Sequence, residues 1–217
     1  MALAHKGTQQ IKTQRLILRR FTAQDADGIY DHWASDENVT RHLSWAPHQS
    51  REITRSILSI WLEHYADLSY YHWGIAFKST GELIGSVNFT DIHEKALRAS
   101  VGYCIGQNYW GHGLMTEALR AVIDFGFAKV GFARIQAYHD LGNAASGRVM
   151  QKSGMVYEGR LRKYAPVGTG ELSDCKMYAV IREDWERQAR AREGALAPAQ
   201  ASRSKAARFP FRVPGRR

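Results

Sequence analysis

The stretch Trp110-Gly111-His112-Gly113-Leu114-Met115-Thr116-Glu117-Ala118 constrains this chain more than any other. Two glycines one residue apart separate a strand-like run, 97–106, from an amphipathic run, 114–130. In the second run Met115, Ala118, Leu119, Val122 and Gly126 recur at helical spacing, and Gly131 supplies a stop. A helix start presents unpaired backbone N–H groups and the positive end of the helix dipole. Glycines there let a ligand approach the backbone without a side chain in the way. The local chemistry is that of a phosphate or pyrophosphate site, with a tight turn as the plain alternative. Two nucleotide loops do not fit. A P-loop needs Lys-Ser or Lys-Thr after its last glycine, and none follows. A dinucleotide fingerprint needs Gly or Ala where Thr116 stands, and an acid about 20 residues on at the end of the next strand, where Asp140 comes too late.

The rest of the chain places this loop in an alternating order. Residues 15–21 read as a first strand, and Thr22 with Asp25 resembles a capping box opening a helix to about Ala34. A polar link, 35–47, leads to a long helix, 49–68, with Ile53, Ile57, Ile60, Trp61 and Tyr65 on one side. Strands 72–78 and 83–92 form a hairpin around Thr80-Gly81, and strand 97–106 follows. After the glycine loop and its helix come strand 133–139, helix 143–153, and two antiparallel strands, 155–164 and 174–182. The order is β-α-α-β-β-β-α-β-α-β-β. A helix crossing between strands makes a parallel pair, so the expected sheet is antiparallel first and locally parallel in the middle.

Charge and composition narrow the function classes. The chain carries +9, but residues 189–217 hold eight basic residues and one acid, which leaves only +2 for the rest. A basic tail, expected to be disordered, sets that charge, and the core is not expected to bind nucleic acid directly. Cys104 and Cys175 lie in strand-like runs without CxxC spacing, so they read as buried thiols and not as a zinc site. No apolar run approaches the ~20 residues of a membrane helix. Residues 1–14 have no signal-peptide h-region. The expectation is a cytoplasmic protein without membrane or metal.

A second motif joins the first. Asn143-Ala144-Ala145-Ser146 opens the helix after the strand ending near His139, and Lys152-x-Gly154 follows. Asn and Ser three apart at a helix start are also ordinary capping residues. Together with Thr13-x-Arg15-Leu16-x-Leu18-Arg19, Val101-Gly102-Tyr103-Cys104-Ile105, Phe125-Gly126-Phe127 and Glu158-Gly159-x-x-Arg162, the chain resembles the GNAT superfamily of N-acetyltransferases. The likeness is to its RimJ/RimL branch, the ribosomal-protein alanine acetyltransferases. Met115, Cys104 and Met155 depart from the residues usual in that family.

That resemblance implies an α/β (α+β) fold with a GNAT-type mixed sheet over residues 13–187, followed by the tail 188–217. Its fourth and fifth strands would run parallel and splay apart, with helices on both faces. It implies acetyl-CoA as co-substrate and no metal. Tyr103, Cys104 and Ile105 would pair with the pantetheine arm, one backbone N–H polarising the thioester carbonyl. The amides of Gly111, His112, Gly113, Leu114 and Met115 would hold the pyrophosphate, with Asn143 on the arm. Arg148 and Lys152 are candidates for the cofactor's phosphates. Ser146 would give a proton to the departing thiolate, Tyr164 being the alternative acid. Glu117 reads as structural. His42, Trp45 and Asp91 are candidates for the acceptor side, where no general base is identified. His93 and Glu94 beside Asp91 read equally well as solvated turn residues. The implied acceptor is the N-terminal amine of a protein. The alternatives are a small amine (polyamine, amino acid or aminoglycoside) or a non-catalytic CoA-binding module. A monomer or homodimer is expected.

Overall fold

Eight strands form one sheet in the order β1-β2-β3-β4-β5-β6-β8-β7. They are β1 (Ile11–Lys12), β2 (Leu16–Arg19), β3 (Tyr71–Phe77), β4 (Leu83–His93), β5 (Arg98–Ile105), β6 (Arg134–Asp140), β7 (Val156–Pro166) and β8 (Leu172–Ile181). The structure is a computed structural model and describes residues 2–168 and 170–192. Every neighbouring pair is antiparallel except β5 and β6, which run parallel. The two-residue β1 was not expected, so the expected fourth and fifth strands are β5 and β6. The mixed sheet flanked by helices is as the sequence predicts.

The β5–β6 pairing is short. It covers Arg98↔Arg134, Ala99↔Ile135 and Ser100↔Gln136, and then stops. Beyond it each strand stays bound on its other side. β5 remains paired to β4 as far as Ile105↔Gly85, and β6 to β8 as far as Asp140↔Cys175. The sheet therefore opens between Val101–Ile105 and Ala137–Asp140.

Helices cover both faces. On one lie α1 (Ala26–Ile29), preceded by a 3-10 turn Ala23–Asp25 and continued by a π turn Tyr30–Ala34, then α2 (Glu37–Thr40) and α3 (Arg51–His64). Phe21, Ile29, Trp33, Val39, Leu58 and Tyr65 form the core there. On the other lie α4 (Leu114–Phe125), ending in a π turn Gly126–Val130, and α5 (Ala144–Lys152). Tyr71, Trp73, Phe89 and Phe132 pack beneath α4 and its Phe125, with ring centroids 5.1–6.0 Å apart in mostly edge-to-face pairs.

Two expectations are corrected. The inward side of α3 is Thr54, Leu58, Trp61 and Tyr65, while Ile53 and Ile60 face solvent at 40% and 51% exposure. The phase is fixed by polar contacts that hydrophobicity counting overlooks. His48 Nδ1 lies 2.9 Å from the buried Thr54 hydroxyl, and the Tyr65 hydroxyl donates to His72 O at 2.7 Å. Second, residues 188–192, expected to open a disordered tail, are helical within a helix spanning 182–192, which carries an Asp184–Arg187 ion pair. A compact unit ends at Arg182 and another begins at Glu183. The remainder of the predicted tail, 193–217, lies outside the described residues.

One polar knot ties the N-terminal strands to α4. The Glu117 carboxylate accepts from Thr13 Oγ1 at 2.6 Å, from the Arg15 amide at 2.8 Å and from Arg15 Nε at 2.7 Å. Glu117 also sits in the first turn of α4, where the helix dipole favours an anion. Burial pushes its carboxyl up, but the hydrogen bonds from Thr13 and Arg15 outweigh this and hold it below the usual glutamate range. A carboxyl depressed in the folded state contributes stability above its unfolded pKa and loses it as pH falls through the folded one. Arg15 is 45% exposed, so the two neutral donors matter more than the screened ion pair. Glu117→Gln is expected to lower unfolding free energy by about 1–2 kcal/mol at pH 7. The gap between the variant and the parent should close as denaturation is repeated at pH values falling below about 4.5.

Candidate active site

Gly111 and Gly113 take positive φ angles, 81° and 72°, and Gly113 is the N-cap of α4. A side chain at either position would strain the backbone. The first helical amides of α4, those of Leu114, Met115 and Thr116, have no partner one turn back, and Glu117 N is the first to bond Gly113 O, at 3.1 Å. The side chains of Leu114 and Met115 are buried, so these residues offer only their backbones. His112 is exposed and its Nδ1 lies 2.7 Å from Trp110 O. Arg15 fixes the loop by donating to His112 O at 3.0 Å. Beside it runs an open groove of about 560 Å³ whose lining includes Lys12, Arg15, Arg120 and Lys152 with Glu117 and Asp124. Arg148 is exposed on α5 and makes no ion pair among the described residues.

The open edge of β5 lies next to this loop. Leu97 O accepts from Ala133 N on the β6 side, and Ile105 O accepts from Trp110 Nε1 at 2.9 Å. Backbone groups alternate along a strand, so Val101 and Tyr103 also turn their N–H and C=O toward the opening. Cys104 sits opposite Ser86 on β4. Its thiol packs against the core of the α1–α3 face, 3.4 Å from Ser86 Oγ, and burial pushes it up to about 11, so it is a thiol and not a nucleophile at neutral pH. Cys175 is buried and also free.

Across the opening, β6 leads into α5. Asn143 caps that helix, its Oδ1 accepting from Ser146 N at 3.0 Å. The capping role therefore belongs to Asn143, and the Ser146 hydroxyl is used elsewhere. Its Oγ lies 2.8 Å from the Tyr103 hydroxyl, which also donates to Ser146 O at 3.1 Å. This hydroxyl pair joins β5 to the first turn of α5 across the opening. Burial raises the Tyr103 phenol, which stays protonated at neutral pH. Gly147, one residue on, permits the close approach of α5 to β6, since a Cβ there would stand 2.6 Å from His139 Nε2.

Other predicted residues fall farther out. Tyr164 is half-exposed on β7 and packs edge-on against Tyr138 at 5.0 Å, whereas the tyrosine brought to Ser146 is Tyr103. Asp91 lies at the closed end of the split, bonded to Arg98 Nη1 at 2.9 Å and Ser100 Oγ at 3.4 Å. Its neighbours are engaged in the same turn, His93 with the Ala96 amide and Glu94 with His5. Trp45 packs on the core beside His48, ring centroids 5.2 Å apart. His42 reaches the open end, its Nδ1 2.9 Å from Asp140 Oδ2. The Tyr103 phenol, the Trp110 indole, the Arg15 clamp and Asp140 were not foreseen in these roles. Strand parity relative to a helix two elements away was the one available clue to Tyr103.

Among the described residues no group of three or more His, Cys, Asp or Glu is placed to hold a metal ion. No helix there is long and apolar enough to cross a membrane.

Known proteins resemble this chain in sequence and in fold. The chain is 34% identical over 172 residues to a Bacillus subtilis protein described as uncharacterized N-acetyltransferase YoaA, covering 79% of this chain and 96% of that one. It is 28% identical over 184 residues to the [ribosomal protein uS5]-alanine N-acetyltransferase of Escherichia coli, covering 81% and 92%. Its fold matches RimL, a ribosomal L7/L12 alpha-N-protein acetyltransferase solved in complex with coenzyme A, with TM-score 0.71, 21% identity, and 80% and 98% coverage. Residues 15–156 match the acetyltransferase (GNAT) domain model, and the chain belongs to that family of N-acetyltransferases.

Proposed function

We propose that this protein transfers an acetyl group from acetyl-CoA to the N-terminal amine of a protein, with a ribosomal protein as the substrate class. The observation that carries the transfer chemistry is the Tyr103–Ser146 hydroxyl pair spanning the open end of the split. A thioester supplies the acetyl group and leaves a thiolate that needs a proton. Ser146 is the donor, and Tyr103 orients its hydroxyl. The residues fit the co-substrate at each end. The unpaired amides at the start of α4, with Lys12, Arg120 and Lys152 nearby, suit the phosphates. The open backbone edge at Val101 and Tyr103 suits the amides of the pantetheine arm and a thioester carbonyl. Asn143 keeps its side-chain N–H groups for that arm.

Similarity to the uS5-alanine enzyme over most of both chains favours a protein acceptor. The +7 carried by residues 189–217 adds attraction to ribosomal RNA phosphates. A small amine is the second reading, because GNAT domains in general define the donor and not the acceptor.

Thiol release from acetyl-CoA, measured against N-terminal peptides of ribosomal proteins and against polyamines, amino acids and aminoglycosides, tests both readings. Turnover with the peptides is expected, and turnover confined to small amines would transfer the assignment to them. Acetyl-CoA should raise the melting temperature by mass action. Gly113→Glu should abolish that shift, because it adds both a carboxylate at the phosphate seat and strain at positive φ. Ser146→Ala should reduce kcat about 10²-fold with little change in acetyl-CoA affinity, since the interaction strengthens only as charge develops on sulfur. Unchanged kcat in a folded Ser146→Ala variant would remove Ser146 as the proton donor.

A further inference from the structure

The acceptor amine reaches a transferase as an ammonium ion and must lose a proton before it attacks. At the open end of the split the side chain of His42 stands against Asp140. Asp140 is the last residue of β6, and much of the turn into α5 hangs on it. Its Oδ1 accepts from Gly142 N at 2.8 Å, and its carbonyl accepts from Asn143 N at 3.0 Å. Its Oδ2 is sealed from solvent and receives no well-directed hydrogen bond. The donor that reaches it is His42 Nδ1, 2.9 Å away and off the ideal line. His42 Cε1 also lies 3.2 Å from where a Gly142 Cβ would be, so the ring rests on the turn leading to Asn143 and Ser146.

A sealed carboxylate oxygen is costly without a donor. A proton on His42 Nδ1 would serve it, and would leave a lone pair on Nε2 at the far side of the ring. The side chain keeps 21% of its surface exposed, so Nε2 is open to an incoming group. We infer that His42 is the general base for the acceptor amine and that Asp140 is its positioning residue. This rests on the acetyltransferase reading above. One ammonium proton passes to His42 Nε2 and on to water. The amine then forms the C–N bond, and the C–S bond breaks with its electron pair on sulfur. The second proton, shed from nitrogen, replaces the one Ser146 gives to the thiolate. Asp140 faces His42 from β6, Cys175 faces Asp140 from β8, and Arg41 precedes His42 on its own segment.

Three measurements on the full chain test this. Nitrogen-15 NMR of the free protein should find neutral His42 protonated on Nδ1, and Asp140→Asn should move the proton to Nε2. An Nε2–H tautomer in the parent protein would overturn the inference whatever the acceptor proves to be. His42→Ala should keep its affinity for acetyl-CoA, read by calorimetry, while kcat/KM for the acceptor falls about 10²–10³-fold. Added imidazole should restore part of the rate. Unchanged kcat/KM would exclude His42 as the base. Failure of the parent protein to bind acetyl-CoA would instead sink the acetyltransferase reading, and the tautomer measurement would still decide the His42–Asp140 pairing.

Discussion

Three residue pairs join β5 to β6, and the site depends on there being no more. Each strand is held on its outer side along most of its length, β5 by β4 and β6 by β8. The outer ladders carry the two halves of a twisted sheet apart after Ser100 and Gln136. Backbone groups at Val101 and Tyr103 are left without a strand partner. In an ordinary sheet such an opening would be an unsatisfied seam. Here it lies at the carboxyl ends of two parallel strands, where open α/β sheets bind their ligands. The helices that follow those strands, α4 and α5, both begin at this end.

Fixed polar contacts keep the two lips in place. On the β5 side, Arg15 reaches from the N-terminal strands to the His112 carbonyl and to Glu117, so the glycine loop is anchored on a different part of the chain. Trp110 closes back on Ile105 O. On the β6 side, Asp140 folds the turn, Asn143 caps α5, and Gly147 lets the helix settle on His139. The Tyr103 hydroxyl then crosses to Ser146. On the opposite face, the bidentate Arg19–Asp25 pair secures the start of the helical region that carries His42 toward the same opening. The proposed site is assembled from such separate segments and needs each one pinned, because small displacements cost rate steeply.

The glycine loop, the helix after it and the Asn143 cap were legible in the sequence because their physics is local. Positive φ, a helix start and a side chain bonding three residues ahead involve neighbours only. Strand order near the loop was legible for a related reason: a helix between two strands dictates a parallel crossover. The phase of α3 was misread because Ile53 and Ile60 count as apolar wherever they stand. The buried Thr54 and the hydrogen-bonded Tyr65 set that phase through contacts with His48 and β3. The start of the 182–192 helix was hidden by composition, since local ion pairing such as Asp184–Arg187 supports a helix in a stretch that looks like solvated linker.

By itself the sequence determined the family, the glycine turn that opens α4 and the Asn143 cap of α5, because those rest on short-range backbone rules and on motifs at fixed spacing. The tertiary structure alone decided which side chains meet. Tyr103, not Tyr164, reaches Ser146, because alternation along β5 puts its side chain on the α5 face. His42 meets Asp140, 98 positions away in the chain, because α2 and the end of β6 converge at the opening. Asp91 is drawn to the closed end by Arg98, since the β4–β5 register brings them together there. Such pairings depend on register and packing summed over the whole sheet, and no local pattern encodes them.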